Sequence, residues 1–269
     1  MSELPDYRKP PVVQVAAGLQ FGAIQGLTGP RVGSYWSLIR EDFPQVQEQP
    51  PISHIVELPA GKIPEQMPEV RVSMVPPLPR TWFVSADGTA IIQVQQDRFH
   101  YNWRKLRPEQ EYPRYPTVKQ AFFKHWDGFW RFLTAEGLAA PEIDQCELVY
   151  VNVVPKGEGW ETVSDLSELF TVFKWRARGD FLPEPEGMSG ALHFGWPDGK
   201  GRLHAELVPV RIEADNREAA QFRLISRGRP DSTDAKSIDA WFDKAREWIV
   251  RGFAALTDSK GDELWERIS

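Results

Sequence analysis

The sequence TWFVSADGTAIIQVQQDRFHYNWRKLRPEQEYPRY, residues 81–115, combines a strong hairpin signal with a dense set of polar side chains. Asp87 and Gly88 lie between β-branched and aromatic runs, which is typical of a two-residue type I′ turn because glycine adopts positive φ without steric cost. We therefore predict a β-hairpin whose second strand continues to Arg104. Because strand side chains alternate between faces, we expect this strand to have two distinct sides. The first comprises Ile91, Phe99, Tyr101 and Trp103, and the second comprises Ile92, Val94, Gln96, Arg98, His100, Asn102 and Arg104.

The second side begins aliphatic and ends in four polar residues, Arg98, His100, Asn102 and Arg104. Alternate residues of a strand are about 7 Å apart, so these side chains could hold a carboxylate or a phosphate. The alternative is an ordinary solvated face, because antiparallel sheets commonly keep one face in water. The sequence leaves both interpretations open.

Four more polar residues are candidates for the same ligand-binding site. Tyr112, Arg114 and Tyr115 follow the strand, and Asn152 lies in the later strand-like run CELVYVNVV. Alternation could turn Asn152 toward the same region. Arginine forks make bidentate contacts with anions, and His100 could serve as a general base.

Several motifs in and beyond this stretch belong together: QxDRFHYNWR at residues 95–104, YPRY at residues 112–115 and CELVYVN at residues 146–152. Their combination resembles a family of uncharacterised, sporadically distributed bacterial and archaeal proteins, and the similarity covers nearly the whole chain. The resemblance implies a cytosolic prokaryotic α+β protein. The patchy distribution of the family suits an accessory or mobile system such as phage defence. No particular reaction is implied.

The composition is that of an ordinary soluble globular protein, with 269 residues, 41% hydrophobic and 26% charged. The net charge of −6 argues against a general nucleic-acid binder, because nonspecific affinity comes mainly from lysine and arginine on phosphates. The N-terminal residues lack an apolar signal segment, and no apolar run approaches the roughly 18 residues of a membrane span. We therefore expect a cytoplasmic protein that does not contact membranes.

The order of elements predicts an α+β fold with antiparallel strands and long helices packed on one face. An N-terminal half, residues 1–140, and a C-terminal half, residues 141–269, each give strand, helix, irregular segment, hairpin strands and long helix, which indicates a pseudo-duplication packed as one unit. A proline-rich insertion, residues 44–80, interrupts the first half and contains two short candidate strands, residues 52–58 and 70–75. This insertion could be functional, or it could simply wrap the sheet.

Alternation predicts a first strand at residues 12–21. Helical patterns occupy residues 35–43, 116–137 and 162–174, and a final long helix begins at Ser237 as its cap. The apolar stripes that we expect to face the core are Val118, Phe122, Phe129 and Leu133 in the second of these helices, and Ile238, Phe242, Ala245, Ile249, Phe253 and Leu256 in the final helix. In the second half, residues 188–196 and 202–214 form a hairpin. Matching Leu192 to Leu207 places Gly199-Lys200 at a type II′ turn. Two tryptophans of the final helix, Trp241 and Trp248, either widen its buried stripe or offer aromatic anchors to a protein partner.

No phosphate-binding glycine loop, nucleophile elbow or HExxH pair occurs in the sequence, and we expect no cofactor. The best metal-like group is weak: His193 opposite Glu206 on the second hairpin, with His204 diagonal. The single cysteine, Cys146, lies in an apolar strand and reads as a buried, inert thiol.

These observations favour a non-catalytic interaction protein, an accessory component that acts through a protein partner or an anionic small ligand at the polar strand face. The alternative is an enzyme of unrecognised class, a hydrolase or nuclease, in which His100 works with Arg98 and Arg104. A third interpretation is a purely structural subunit held through Trp241 and Trp248. Whether the chain is an enzyme stays open at this stage.

Overall fold

A computed structural model describes residues 3–57, 78–171, 175, 179 and 181–269. Within this part of the chain, nine strands form one antiparallel sheet in the order β2-β3-β4-β5-β1-β6-β9-β8-β7. The strands are β1 (Val12–Phe21), β2 (Gln45–Gln49), β3 (Arg80–Val84), β4 (Ala90–Gln95), β5 (Arg98–Arg104), β6 (Ile143–Pro155), β7 (Gly190–Gly195), β8 (Gly201–Arg211) and β9 (Glu218–Gly228). The helices are α1 (Gly29–Ile39), α2 (Tyr115–Ala135), α3 (Leu166–Leu169), α4 (Ala235–Leu256) and α5 (Ser259–Leu264). The predicted mixture of an antiparallel sheet with helices is confirmed.

The long helices pack on the sheet through the apolar stripes that the sequence predicts. In α2, Phe129 stacks on Phe99 of β5 with ring centroids 5.2 Å apart. In α4, Phe253 lies 6.2 Å from the Phe222 ring of β9. The remaining predicted stripe residues are buried as well: Val118, Phe122 and Leu133 in α2, and Ile238, Phe242, Ala245, Ile249 and Leu256 in α4. None of the described helices is both long enough and apolar enough to span a membrane.

The predicted long second strand of the central hairpin is wrong, because the chain turns again at Gln96-Asp97. It forms two paired strands, β4 and β5, rather than one. Val94 pairs with Phe99 and therefore shares its face, whereas Ile91 pairs with Asn102. The turn reverses the side-chain parity, so the face assignments of Ile91 and Val94 are exchanged relative to the prediction.

Both hairpin turns differ from the predicted two-residue types. In the first, Gly88 donates its N–H to the Ser85 carbonyl and adopts φ 76°, while Asp87 does not adopt positive φ and instead accepts from Thr89. In the second, Trp196 N–H donates to the Gly201 carbonyl, so four residues lie in the loop. The longer loop shifts the predicted register by two residues.

Several predicted element boundaries also need correction. Helix α1 begins at Gly29 with Pro30 in its first turn, earlier than predicted, and α3 is only one turn long. Asp234, not Ser237, caps α4 by accepting from the Ser237 N–H. The edge strand β2 was not predicted, and residues 52–57 are not a strand. The candidate strand at residues 70–75 lies outside the described residues, as does residue 58.

Candidate functional site

The face of the sheet opposite the apolar core carries an unusual density of buried polar groups, and we call it the polar face. The pairing register defines a row of residues that crosses six strands. This row is Gln93, His100, Gly18, Glu147, Arg227 and Arg202. His100 is 7% exposed and Arg202 is 8% exposed, so this is not the solvated face of the simpler interpretation.

Glu147 of β6 is the central acceptor of this row. Arg227 donates to its Oε2 through Nε at 2.7 Å, and His100 Nε2 lies 3.7 Å from Oε1. Burial raises the pKa of Glu147, but the charge of Arg227 and the neighbouring His100 outweigh it and hold this pKa below its usual value. Burial also lowers the pKa of His100 to about 4, which Glu147 opposes only in part. At neutral pH the pair is therefore a neutral imidazole beside a carboxylate.

An extended segment, residues 52–57, crosses the polar face, and we call it the strap. Three glutamines on three strands hold its main chain. Gln95 of β4 accepts from Ile52 N–H at 2.8 Å and donates to the Ile52 carbonyl at 2.9 Å. Gln20 of β1 makes the same pair of bonds with Ile55, at 3.1 and 2.7 Å.

The third glutamine, Gln145 of β6, joins two strap residues. Its amide donates to the Ile55 carbonyl at 2.9 Å, and its carbonyl accepts from Glu57 N–H at 2.8 Å. Arg98 adds a bond to the Ser53 carbonyl at 2.8 Å. Gln95, Gln20 and Gln145 thus act as a set of main-chain clamps, which we call the glutamine clamp.

The strap ends in a carboxylate that is almost fully enclosed. The Glu57 side chain is 5% exposed and meets Arg202 Nη1 at 2.5 Å, His204 Nε2 at 2.8 Å and Arg227 Nη1 at 3.9 Å. Burial raises the pKa of Glu57, but the hydrogen bond from His204 and the charges of His204, Arg202 and Arg227 hold it below the usual value. We call Arg202, His204 and Arg227 the carboxylate pocket.

The structure brings three of the eight predicted ligand-binding residues together. Arg98, His100 and Asn102 lie on the polar face of β5. Within the described residues, the Oδ1 atom of Asn102 is buried without a hydrogen-bond partner, so the face retains unused hydrogen-bonding capacity. Arg104 lies at the far end, where its Nε donates to the Gly88 carbonyl. Six residues of strand span about 20 Å, so Arg98 and Arg104 do not converge on one small anion.

The other four predicted residues lie away from the polar face. Tyr112 bonds the Tyr150 hydroxyl at 2.9 Å, and Tyr115 donates to Asp243 of α4 at 3.1 Å. Arg114 binds Asp6 at 2.9 Å.

Asn152 also lies on the opposite side of the sheet. Its Nδ2 donates to the Phe222 carbonyl, and its parity in β6 is opposite to that of Glu147. The predicted orientation of Asn152 toward Arg98 is therefore wrong, because Asn152 lies five residues after Glu147 and an odd spacing in a continuously paired strand places the two side chains on opposite faces.

The weak metal group is not assembled. His193 pairs with His204, with 2.8 Å between their Nδ1 atoms, while Glu206 faces Arg223 at 3.5 Å. No cluster of three suitable ligands occurs among the residues that the structure describes. Cys146 is buried, and burial raises the pKa of its thiol.

The two tryptophans of α4 stack on a third tryptophan, with Trp241 buried and Trp248 half-buried. Trp196, from the β7–β8 loop, lies between them, with ring centroids 5.4 Å from Trp241 and 5.8 Å from Trp248. Trp241 is 4% exposed. Its ring therefore serves the core, as one of the two sequence interpretations had it.

Sequence reasoning missed the glutamine clamp, the Glu147–Arg227 pair and the carboxylate pocket. A signal was present, because Gln20, Gln145 and Glu147 interrupt otherwise apolar strands. Contacts between residues far apart in sequence, such as Glu57 and Arg202 at 145 positions, could not be recognised from local patterns.

Comparisons of the chain with protein-family models, with curated proteins and with solved structures found no significant match. No residue role is therefore carried over from a relative. The resemblance to the bacterial and archaeal family stays a prediction, and function is argued from the polar face alone.

Proposed function

We propose that the chain is a non-catalytic interaction protein whose polar face binds an extended segment of a protein partner, in the place that the strap occupies. The observation that carries this proposal is the glutamine clamp. Side-chain amides that both donate to and accept from one main-chain unit recognise extended backbone whatever its side chains. Such a face suits a segment from another protein as well as one from its own chain.

The strap has the contacts of an exchangeable ligand. None of residues 52–57 is buried as a whole residue, so the strap contributes no side chain to the apolar core. Its attachment rests on hydrogen bonds, each worth about 1 kcal/mol net, and on the Glu57 carboxylate. If a segment of a partner replaced the strap, it could make the same hydrogen bonds to the polar face, and the apolar core would stay unchanged.

A strap in the same chain competes with a partner through its high effective concentration, which reaches the millimolar range for short connections. A test therefore has to open the strap without altering the face. Ile55→Pro does so, because proline removes the N–H that donates to Gln20. We call this variant the opened chain.

The experiment measures binding of a labelled peptide of residues 51–57, PISHIVE, to the opened chain by fluorescence anisotropy. We expect the opened chain to bind the peptide and wild type to bind it at least tenfold more weakly. We also expect an affinity at least tenfold below that of the opened chain when Gln20→Ala and Gln145→Ala are added to it. Gln47→Ala, an exposed glutamine on β2, is the matched control and should change nothing. A folded opened chain that ignores the peptide, or that binds it equally without the clamp, would refute the proposal.

A second candidate is the enzyme of unrecognised class, and the His100–Glu147 pair favours it. A carboxylate beside a histidine can orient the ring as a general base. Arg98 lies next to the pair, although Arg104 does not. This candidate requires the strap to open, and it predicts a turnover that His100→Ala abolishes while peptide binding persists.

We also infer that the two halves are copies of one unit, with both long helices on one side of the sheet. The strand order supports this, because β3-β4-β5-β1 is matched in reverse by β6-β9-β8-β7. A pseudo-twofold axis between β1 and β6 would place Gly18 and Glu147 at the seam and make His100 the counterpart of Arg227. Following the family resemblance, we place the partner in a cytoplasmic accessory system such as phage defence.

A further inference from the structure

We propose that the carboxylate pocket reads one acidic side chain of the bound segment, at the second residue after the one whose main chain Gln20 holds. This inference rests on the proposed function and deepens it. The glutamine clamp accepts any extended backbone, whereas the pocket adds a requirement for charge at one position. The ligand is therefore an extended protein segment with glutamate at that position.

The pocket is built for a carboxylate. Arg202 and His204 contact different oxygens of Glu57, Oε1 and Oε2, and Arg227 approaches Oε2 from the neighbouring strand. Hydrogen bonds between ionised partners are the stronger class and depend on both charges. A neutral amide in the same place would replace the charged acceptor of Arg202 and His204 with a neutral one, in a site where the Glu57 side chain is only 5% exposed.

The register between clamp and pocket is set by the sheet. Gln20 and Gln145 both hold the Ile55 carbonyl, and Gln145 also holds the Glu57 N–H. In extended chain, residues two apart direct their side chains to the same side, about 7 Å apart. The clamp lies on β1 and β6 and the pocket lies on β8 and β9. Because the sheet fixes the distance between them, the ligand needs its acidic residue two positions after the residue that the clamp holds.

The occupant is a side-chain carboxylate rather than a chain terminus. In the strap, the carboxylate in the pocket belongs to a residue that has chain on both sides, and its own N–H is bound by Gln145. A partner segment that follows the same path would enter with its backbone along the clamp and its acidic side chain turned toward β8. Aspartate is shorter by one methylene and would reach Arg202 less well.

The test compares three labelled peptides of residues 51–57 on the opened chain: the natural sequence, one with Glu57→Gln and one with Glu57→Asp. We expect at least tenfold weaker binding of the glutamine peptide and intermediate binding of the aspartate peptide. Adding Arg202→Met to the opened chain should remove most of the difference between the glutamate and glutamine peptides. That loss of discrimination distinguishes charge recognition from a general effect on folding.

The outcomes separate the two proposals. Equal binding of the glutamate and glutamine peptides would overturn the acidic-residue inference while leaving the clamp proposal intact. No binding of any peptide to a folded chain would overturn both. If circular dichroism shows that Ile55→Pro does not fold, Glu57→Gln and Glu57→Asp are made in the full chain instead, and amide exchange of residues 52–57 is measured. Faster exchange in Glu57→Gln than in wild type, with Glu57→Asp between them, supports recognition of the charge, and equal exchange overturns it.

Discussion

The His100 imidazole lies directly over Gly18: a β-carbon built on Gly18 would be 1.5 Å from His100 Cδ2. Gly18 stands on β1, between His100 on β5 and Glu147 on β6. Any side chain at this position would separate the two. The missing side chain of one residue therefore permits a contact between strands that are not neighbours in the sheet.

Gly18→Ala should destabilise the protein by about 2 kcal/mol or more, because the buried ring has to leave its position. In a strand without such a contact, glycine to alanine would instead stabilise by about 0.5–1 kcal/mol. The sign of the change in the free energy of unfolding, measured by urea denaturation, therefore shows whether His100 lies against Gly18. Adding His100→Ala to Gly18→Ala should recover most of the loss.

Gly128→Ala in α2 is the control for this experiment, because a β-carbon there meets nothing within 4 Å among the described residues. It should stabilise slightly through helix propensity. If Gly18→Ala and Gly128→Ala have the same sign, the stacking of His100 on Gly18 does not hold in solution.

Loss of the clamp should release the strap without unfolding the sheet. We expect Gln20→Ala with Gln145→Ala to increase amide exchange across residues 52–57 at least tenfold, because Ile55 and Glu57 lose their acceptors. Exchange in β1 and β6 should stay close to the wild-type rate. Gln47→Ala is again the control, and unchanged exchange of the strap in the double variant would count against the clamp.

Stability should fall as the pH is lowered from about 6.5 toward 4. Burial lowers the pKa of His100 and of His125 to about 4 in the folded chain, whereas unfolded histidine titrates near about 6.5. Between these values the unfolded chain binds more protons, so the free energy of unfolding rises with pH, by up to about 1.4 kcal/mol per unit for each group.

His100→Gln should reduce this slope between pH 5 and 6, measured as urea midpoints converted with a common m-value. His125→Gln should reduce it independently, and both variants should match the wild-type slope above pH 7. Below about 4.5 a further loss is expected as Glu57 and Glu147, whose pKa values are lowered in the fold, become protonated. If the free energy of unfolding of His100→Gln depended on pH as steeply as that of wild type, the His100 ring would not be both buried and neutral in the folded protein.

Trp241→Ala should destabilise the protein by about 3–5 kcal/mol, because it removes one side of the stack on Trp196. Trp130→Ala is the comparison: this ring is 38% exposed on α2, and we expect a loss of about 1 kcal/mol at most. Thermal unfolding of both variants measures the difference. If Trp241→Ala and Trp130→Ala both lowered the stability by a small and equal amount, Trp241 would instead be a surface residue available to a partner.

The secondary structure that depends on local pattern was predictable. The stripe of α4 and the extent of β1 follow from periodicity, which any segment carries in its own residues. The turn at Gln96-Asp97 was not recognised, because it contains neither glycine nor proline and the flanking strands look like one continuous run. That single turn decided which residues share a face.

The site was only partly predictable for a different reason. Arg98 and His100 stood out because four polar residues alternate in one strand. Glu57 gave no such signal, since it lies in a proline-rich segment 145 positions from Arg202, and its environment is created only by the folded sheet. Long-range pairing of charges has no periodicity, so no local pattern can report it.

The glutamine clamp also has a consequence for sequence divergence. A segment held by its backbone places few demands on its own side chains, so mutations at Ile52, Ser53 and Val56 should accumulate with little selection against them. Selection should act instead on the three glutamines and on residue 57. In homologues, the strap should vary freely at these positions, and a change of charge at residue 57 should be accompanied by replacement of Arg202.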